Sequence, residues 1–313
     1  MFSIIKTELY KIRKKNSLKV LIIFLSIFVI GNATYQYFQE TKNNNNWKVE
    51  LIKQNKLNQK ELEKAKSNSD YPKSFVTSIE KEIKKNEYKL SHNINPNEST
   101  SWEFMSFTST FSLIILIFTL VLASESISIE RSFGTLQLIL IRPYERWKIY
   151  LGKLISVAII GCLLICYLLL LSSSLGFLLF GIEGYDKLKM VEITNNLTTI
   201  PIYKMLLIKY ISYCFTMFIF IVFSFSISIL IKSHIFSIIL SISLLIGGAT
   251  ITAMLRSFSW AKYLYFTNLD LSIYSGDLSA SINGATLEFT IIKYILYSLL
   301  LIILSLTAFY KKA

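Results

Sequence analysis

The chain has 313 residues, 53% of them hydrophobic and only 17% charged, with a mean hydropathy of +0.49. Soluble domains carry roughly 25% charged residues, so the composition excludes a water-soluble enzyme and defines a polytopic membrane protein. The net charge of +13 is that of basic residues flanking membrane spans and meeting anionic headgroups, and no nucleic-acid partner is expected.

In chain order, residues 1–17 set Phe2, Ile5, Leu9 and Ile12 along one helical face, with Lys6, Lys11, Arg13, Lys14 and Lys15 elsewhere and Glu8 as the sole acid. This predicts an amphipathic helix in the membrane interface, or a plain positively charged topology signal. Span one follows at 18–38; its apolar run is longer than the roughly 7–15 residues of a signal peptide and no small-residue cleavage pattern follows it. The segment 39–101 is lysine-rich but nearly charge-balanced, and it reads as two polar helices over 47–66 and 73–90 with a weak apolar stripe at Phe75, Val76, Ile79, Ile83 and Leu90. Either an extracellular helical hairpin or a solvated loop without a ligand role fits it.

Further apolar runs long enough to cross about 30 Å of hydrocarbon lie at 102–123, 154–180, 205–231, 235–255 and 287–309. They are joined by a charged segment at 124–153, an external loop at 181–204 and an external re-entrant or interfacial segment at 256–286, where Trp260, Tyr263, Tyr265 and Phe266 form an aromatic cluster. The expected fold is all-α: six transmembrane helices, both termini cytoplasmic because basic residues crowd both ends and the 124–153 connection, and an external helical loop between the first two spans.

The connection carries Glu130, the triplet Gly134, Thr135 and Leu136, then Leu138, Pro143, Glu145, Arg146 and Lys153. At these spacings, together with the span count, the interfacial amino-terminal helix and the large first external loop, the chain resembles the membrane subunit of an ABC transporter of the exporter-type family known as ABC-2. The resemblance covers essentially the whole chain, with 39–101 the least matched part. It implies that the connection holds a coupling helix docking into a groove of a separate ATP-binding subunit, two per complex. In that role Gly134 turns the backbone, Leu136, Leu138 and Ile139 fill the groove, and Pro143 ends the helix for want of an amide donor. Glu130, Arg142, Glu145 and Arg146 supply rim ion pairs. The bland alternative is an interfacial turn with solvated charges.

The resemblance also implies a second copy or a related permease as partner, with membrane lipid around both. No phosphate-cradling Gly-x-x-x-x-Gly-Lys-Ser/Thr loop is present and Gly247-Gly248 has no following lysine, so no cofactor is expected in this chain; ATP and magnesium belong to the ATPase partner. Cys162, Cys166 and Cys214, with only His92 and His234, offer no metal ligand set and read as buried apolar thiols. Ser224 with Ser228 and Ser237 with Ser241 read as small residues for close helix packing. Nor is the chain expected to be an enzyme.

An ion-coupled secondary transporter is the alternative from another class. It is disfavoured because Lys19, Lys204, Lys209, Arg256, Glu288 and Lys293 sit near span ends, where snorkelling suffices, and no span holds a buried acid. A mechanotransmission-type ABC permease, with four spans and a larger external domain, fits less well. The expected activity is export of an amphipathic substrate, first an antimicrobial or other peptide, then a drug or lipid. The Lys-, Asn- and Ile-rich composition points to a bacterium with an AT-rich genome, and the resemblance implies its plasma membrane.

Overall fold

Lys15, in extended conformation, breaks the amino-terminal helix α1 (Phe2–Lys14) from α2 (Asn16–Asn43). Lys11, Arg13 and Lys14 fill the last turn of α1, where cations complement the carbonyl end of the helix dipole. The computed structural model describes residues 1–43, 47–67, 73–91, 100–136, 144–184, 188–193, 196–231, 233–255, 258–269, 271 and 285–312.

Helices α3 (Trp47–Ser67) and α4 (Lys73–Ser91) pack against each other. Their shared face buries Leu51, Ile79 and Ile83 together with Asn55 and Asn86, and Lys66 pairs with Glu80 at 2.6 Å. Phe75, expected on that stripe, is exposed instead.

Thr100 caps α5 (Ser101–Thr108) by accepting a hydrogen bond from the Glu103 amide at 3.3 Å. A 3₁₀ turn, Ser109–Phe111, then leads into α6 (Ser112–Ser132). The tightening has a local cause. Thr108 donates to the Phe104 and Met105 carbonyls at 3.0 Å, Ser109 to Ser106 and Thr110 to Phe107 at 2.7 Å, and such back-bonding bends a helix.

Helix α7 (Arg146–Phe180) has 35 residues, about 52 Å at 1.5 Å per residue and well beyond the hydrocarbon thickness. A two-stranded antiparallel hairpin follows, β1 (Leu188–Ile193) with β2 (Asn196–Pro201), paired from Leu188 with Pro201 to Ile193 with Asn196. No strand was expected in the 181–204 loop. Then come α8 (Ile202–Ile231), α9 (His234–Leu255), a 3₁₀ turn at Ser259–Tyr263 and α10 (Leu287–Lys312).

Five described helical stretches are long and apolar enough to cross a bilayer: Asn16–Phe38, Ser101–Ser132, Arg146–Phe180, Ile202–Ile231 and Leu287–Lys311. Helix α9 spans 22 residues and is apolar over His234–Gly248. The chain is therefore a mostly helical, multi-pass membrane protein. Helix α8 is its hub, packed on α6, α7, α9 and α10 with Phe220, Ile221, Val222 and Phe225 fully buried.

Serines knit this hub, as the close-packing reading expects for Ser224, Ser228 and Ser237. Ser228 donates to the Ser124 carbonyl at 2.6 Å, Ser224 to Leu120 at 3.0 Å, Ser237 to Ser224 at 2.6 Å, and Ser128 meets Ser228 hydroxyl to hydroxyl. Each small side chain permits close backbone approach while satisfying its own hydroxyl.

Candidate functional site

The charged residues of the 124–153 connection are not displayed as a free loop. Helix α6 continues to Ser132 and α7 begins at Arg146, so the link between them is only 133–145, and Glu130 and Lys153 face each other from helical ends. Both ends of the 124–153 segment are therefore helical, with charged residues that find partners inside the protein.

Lys153 is the centre. Its ammonium lies 2.8 Å from Glu130 Oε2 and 3.2 Å from Glu8 Oε1, and it donates to the Ser126 carbonyl at 3.1 Å. Its side chain is 1% exposed, against 16% for Glu130 and 11% for Glu8. Lys11 closes the ring, 2.9 Å from Glu8 Oε1 and 3.0 Å from Glu130 Oε1. Burial draws the Lys11 pKa down, but the hydrogen bonds to Glu8 and Glu130 outweigh it and hold the ammonium above its ordinary range. Two carboxylates and two ammoniums thus alternate in a charge-balanced ring joining α1, α6 and α7. Lys15 adds a separate link, 2.7 Å from Glu125.

Close approach of α1 to α7 makes the ring possible, and Gly152 makes that approach possible. A Cβ on Gly152 would lie 2.7 Å from Ile4 Cγ2. The stripe of α1 buried against the protein is Ile4, Glu8 and Ile12; Phe2, on the apolar face expected to meet the membrane interface, is 87% exposed. Glu8 on that stripe faces Lys153.

Gly134 takes a left-handed φ of +70° directly after the α6 terminus, donating its amide to the Arg131 carbonyl at 3.1 Å, which is the turn expected of it. Thr135 donates to the Glu130 carbonyl at 3.1 Å. Leu136 is buried in the protein's own core. Leu138, Ile139, Arg142 and Pro143 lie outside the described residues. Glu145 pairs with Lys148 at 2.9 Å on the exposed side of the link, and that contact holds its carboxyl below the ordinary range.

Arg146 reaches across to α10. It donates to the Tyr310 carbonyl at 2.9 Å, capping the last turn of α10. Among the described residues beside the link, the exposed large apolar side chains are Phe133, 78% exposed, with Tyr144 and Trp147.

Sequence reasoning missed Glu8, Lys11, Lys15, Glu125 and Gly152. The one available signal was Glu8 as the lone acid in a basic segment. It also placed Lys293 at a snorkelling position, whereas Lys293 is buried. Its ammonium donates to the Thr267 carbonyl at 2.9 Å and the Leu264 carbonyl at 3.1 Å, and it sits over the Tyr294 ring at 4.4 Å. Carbonyls of the segment after the 3₁₀ turn replace the water it would otherwise seek. Cys162 and Cys166, read as buried, are exposed on α7.

Fold and site together define a multi-pass helical membrane protein in which ion pairs around the buried Lys153 join α1, α6 and α7. The chain belongs to the family described as a protein of unknown function (DUF2705), whose pattern matches residues 74–313. It is similar to the uncharacterized protein YhcI of Bacillus subtilis (strain 168), 29% identical over 318 residues and covering 100% of this chain and 99% of YhcI. It is also similar to the uncharacterized membrane protein YdbK of the same organism, 25% identical over 211 residues, 67% of this chain and 81% of YdbK. The family match includes Glu130 and Lys153 but begins after α1, while the match to YhcI takes in α1 as well.

Proposed function

We propose that this chain is the membrane-spanning subunit of an ATP-driven ABC exporter, crossing the plasma membrane six times with both ends cytoplasmic and α9 as one of the crossings. On this reading it pairs with a second copy or a related permease. It is coupled through residues 130–153 to two separate ATP-binding subunits and moves an amphipathic substrate, with antimicrobial and other peptides foremost.

The observation that supports it best is the contrast at the base of α6 and α7. Glu130, Lys153 and Leu136 are consumed inside the protein, leaving Phe133, Tyr144 and Trp147 exposed around a short link. An apolar and aromatic protrusion on a rigid, ion-paired base suits insertion into a groove of a soluble partner. The ring beneath it would pass a push on the link to α1, α6 and α7 together. Phe133 therefore takes over part of the role that Leu136 was expected to play.

A second reading draws on the same ring. Glu8 is a buried acid and Glu130 a partly buried one, the kind of group an ion-coupled transporter uses. Each is already matched by an ammonium at the helix base, which suits a structural clamp better than a proton relay.

The deciding experiment is purification of the tagged chain from its native membrane in mild detergent. ATP-binding subunits should co-purify at two per complex and hydrolyse ATP, and Phe133→Asp should release them while leaving the chain inserted. Transport by the chain alone in proteoliposomes, driven by an ion gradient without ATP, would sink the exporter reading.

A further inference from the structure

Helix α1 has a second working face. Ile4, Glu8 and Ile12 turn into the ring side, whereas Lys6, Leu9, Tyr10 and Arg13 recur at i, i+3, i+4 and i+7 and so share a different face. Beneath that face lies a cavity of about 470 Å³ between α1, α2 and α7, within the roughly 300–1,000 Å³ of small-molecule sites. Its walls are hydrocarbon, including Leu9, Ile22, Ile160 and Leu163. At its far end Tyr167 already shares a hydrogen bond of 2.8 Å with Ser26, so that end has its polar group satisfied. From Ile160 to Tyr167 the cavity follows α7 for about 10 Å.

The mouth is different. Lys6 and Arg13 are exposed there, and neither forms an ion pair with a described residue, whereas Lys11 and Lys15 are taken up by Glu8, Glu130 and Glu125. No acid lines the cavity. Two unmatched cations over an apolar slot complement a molecule with one anionic head and a hydrocarbon tail. The guanidinium of Arg13 suits a phosphate oxygen pair, and Lys6 adds a point charge beside it.

We propose that this cleft is a binding site for a single anionic phospholipid from the leaflet bordering α1, with its phosphate between Lys6 and Arg13 and an acyl chain lying between α2 and α7. The site needs only a bilayer with α1 at its surface, so it stands independently of the exporter reading. Occupancy would hold α1 from the side opposite the ion-pair ring.

The test is native mass spectrometry of the full chain released from detergent, titrated with phosphatidylglycerol against phosphatidylcholine. One phosphatidylglycerol should be retained in preference to phosphatidylcholine, and millimolar inorganic phosphate should not displace it. Lys6→Gln with Arg13→Gln should lower that retention at least tenfold. Leu163→Trp, which fills the slot and keeps both cations, should lower it similarly. Lys311→Gln with Lys312→Gln, an equal loss of charge away from the cleft, should leave it unchanged.

No headgroup preference in the unaltered protein, or an equal fall in the Lys311/Lys312 variant, would overturn the proposal in favour of diffuse attraction. So would displacement by phosphate alone. A phosphatidylglycerol with a photoreactive acyl chain gives a readout that needs no variant: labelling should concentrate on α7 around Leu163, and labelling spread evenly over the lipid-facing helices would also overturn the site.

Discussion

At the scale of single residues, the ion pairs of this protein differ in worth because their surroundings differ. Lys153 is 1% exposed between two carboxylates. Replacing it by Met leaves Glu8 and Glu130 with only the half-exposed Lys11, and removing one partner of a buried pair costs at most about 3–5 kcal/mol. The Lys153→Met protein should show that loss in detergent unfolding, and adding Glu130→Gln should recover part of it. Glu145 of the Glu145–Lys148 pair is exposed, so Glu145→Ala should leave unfolding in the same assay close to that of the unaltered protein. Gly134 is a purely backbone case, because a Cβ there meets nothing within 4 Å yet φ is +70°. Gly134→Asn should be tolerated, while Gly134→Val should cost about 1–2 kcal/mol from the left-handed strain and, on the exporter reading, abolish substrate-stimulated ATP hydrolysis in the assembled complex.

At the scale of elements, the contact between α1 and α7 depends on one missing side chain. Gly152→Leu should push Ile4 aside and open the ring. A cysteine pair placed across α1 and α7 should then cross-link poorly, and so, less severely, should Gly152→Ala; adding Ile4→Ala to Gly152→Ala should recover cross-linking because the closest contact, to Ile4 Cγ2, is gone. The helices themselves were legible in the sequence, since some twenty contiguous apolar residues have little stable use other than crossing a bilayer. Their ends were not. Helix α6 runs through Ser124, Ser128 and Glu130, and α7 starts at Arg146, because serines bond to neighbouring carbonyls and the charges pair across helices. Periodicity in one segment cannot reveal that Glu8 and Lys153 meet, as the contact belongs to tertiary packing. The β1–β2 hairpin was hidden for a similar reason: short strands of mixed polarity carry little signal before they pair.

At the scale of the whole molecule, the exposed apolar faces of α2 and α10, with Val20, Ile23 and Ile27 on one and Leu296, Leu299 and Ile303 on the other, are the surfaces that lipid or a second permease would cover. In a background lacking Cys162, Cys166 and Cys214, a cysteine at Glu87 in α4 should react with an impermeant reagent added outside, and one at Ser132 only after permeabilisation; the reverse pattern would invert the proposed topology. The ring also imposes an order on biogenesis. Glu8 and Glu130 both precede Lys153 in the chain, and Leu264 and Thr267 precede Lys293, so each buried ammonium leaves the ribosome after its acceptors already exist. Synthesis from the amino terminus therefore never leaves either lysine waiting in the translocon without an acceptor. The amino-terminal helix must wait instead. A ribosome-stalled chain ending just after Ser132 should leave Glu8 open to water and to proteolysis around it, and protection should begin only once α7 has entered the membrane.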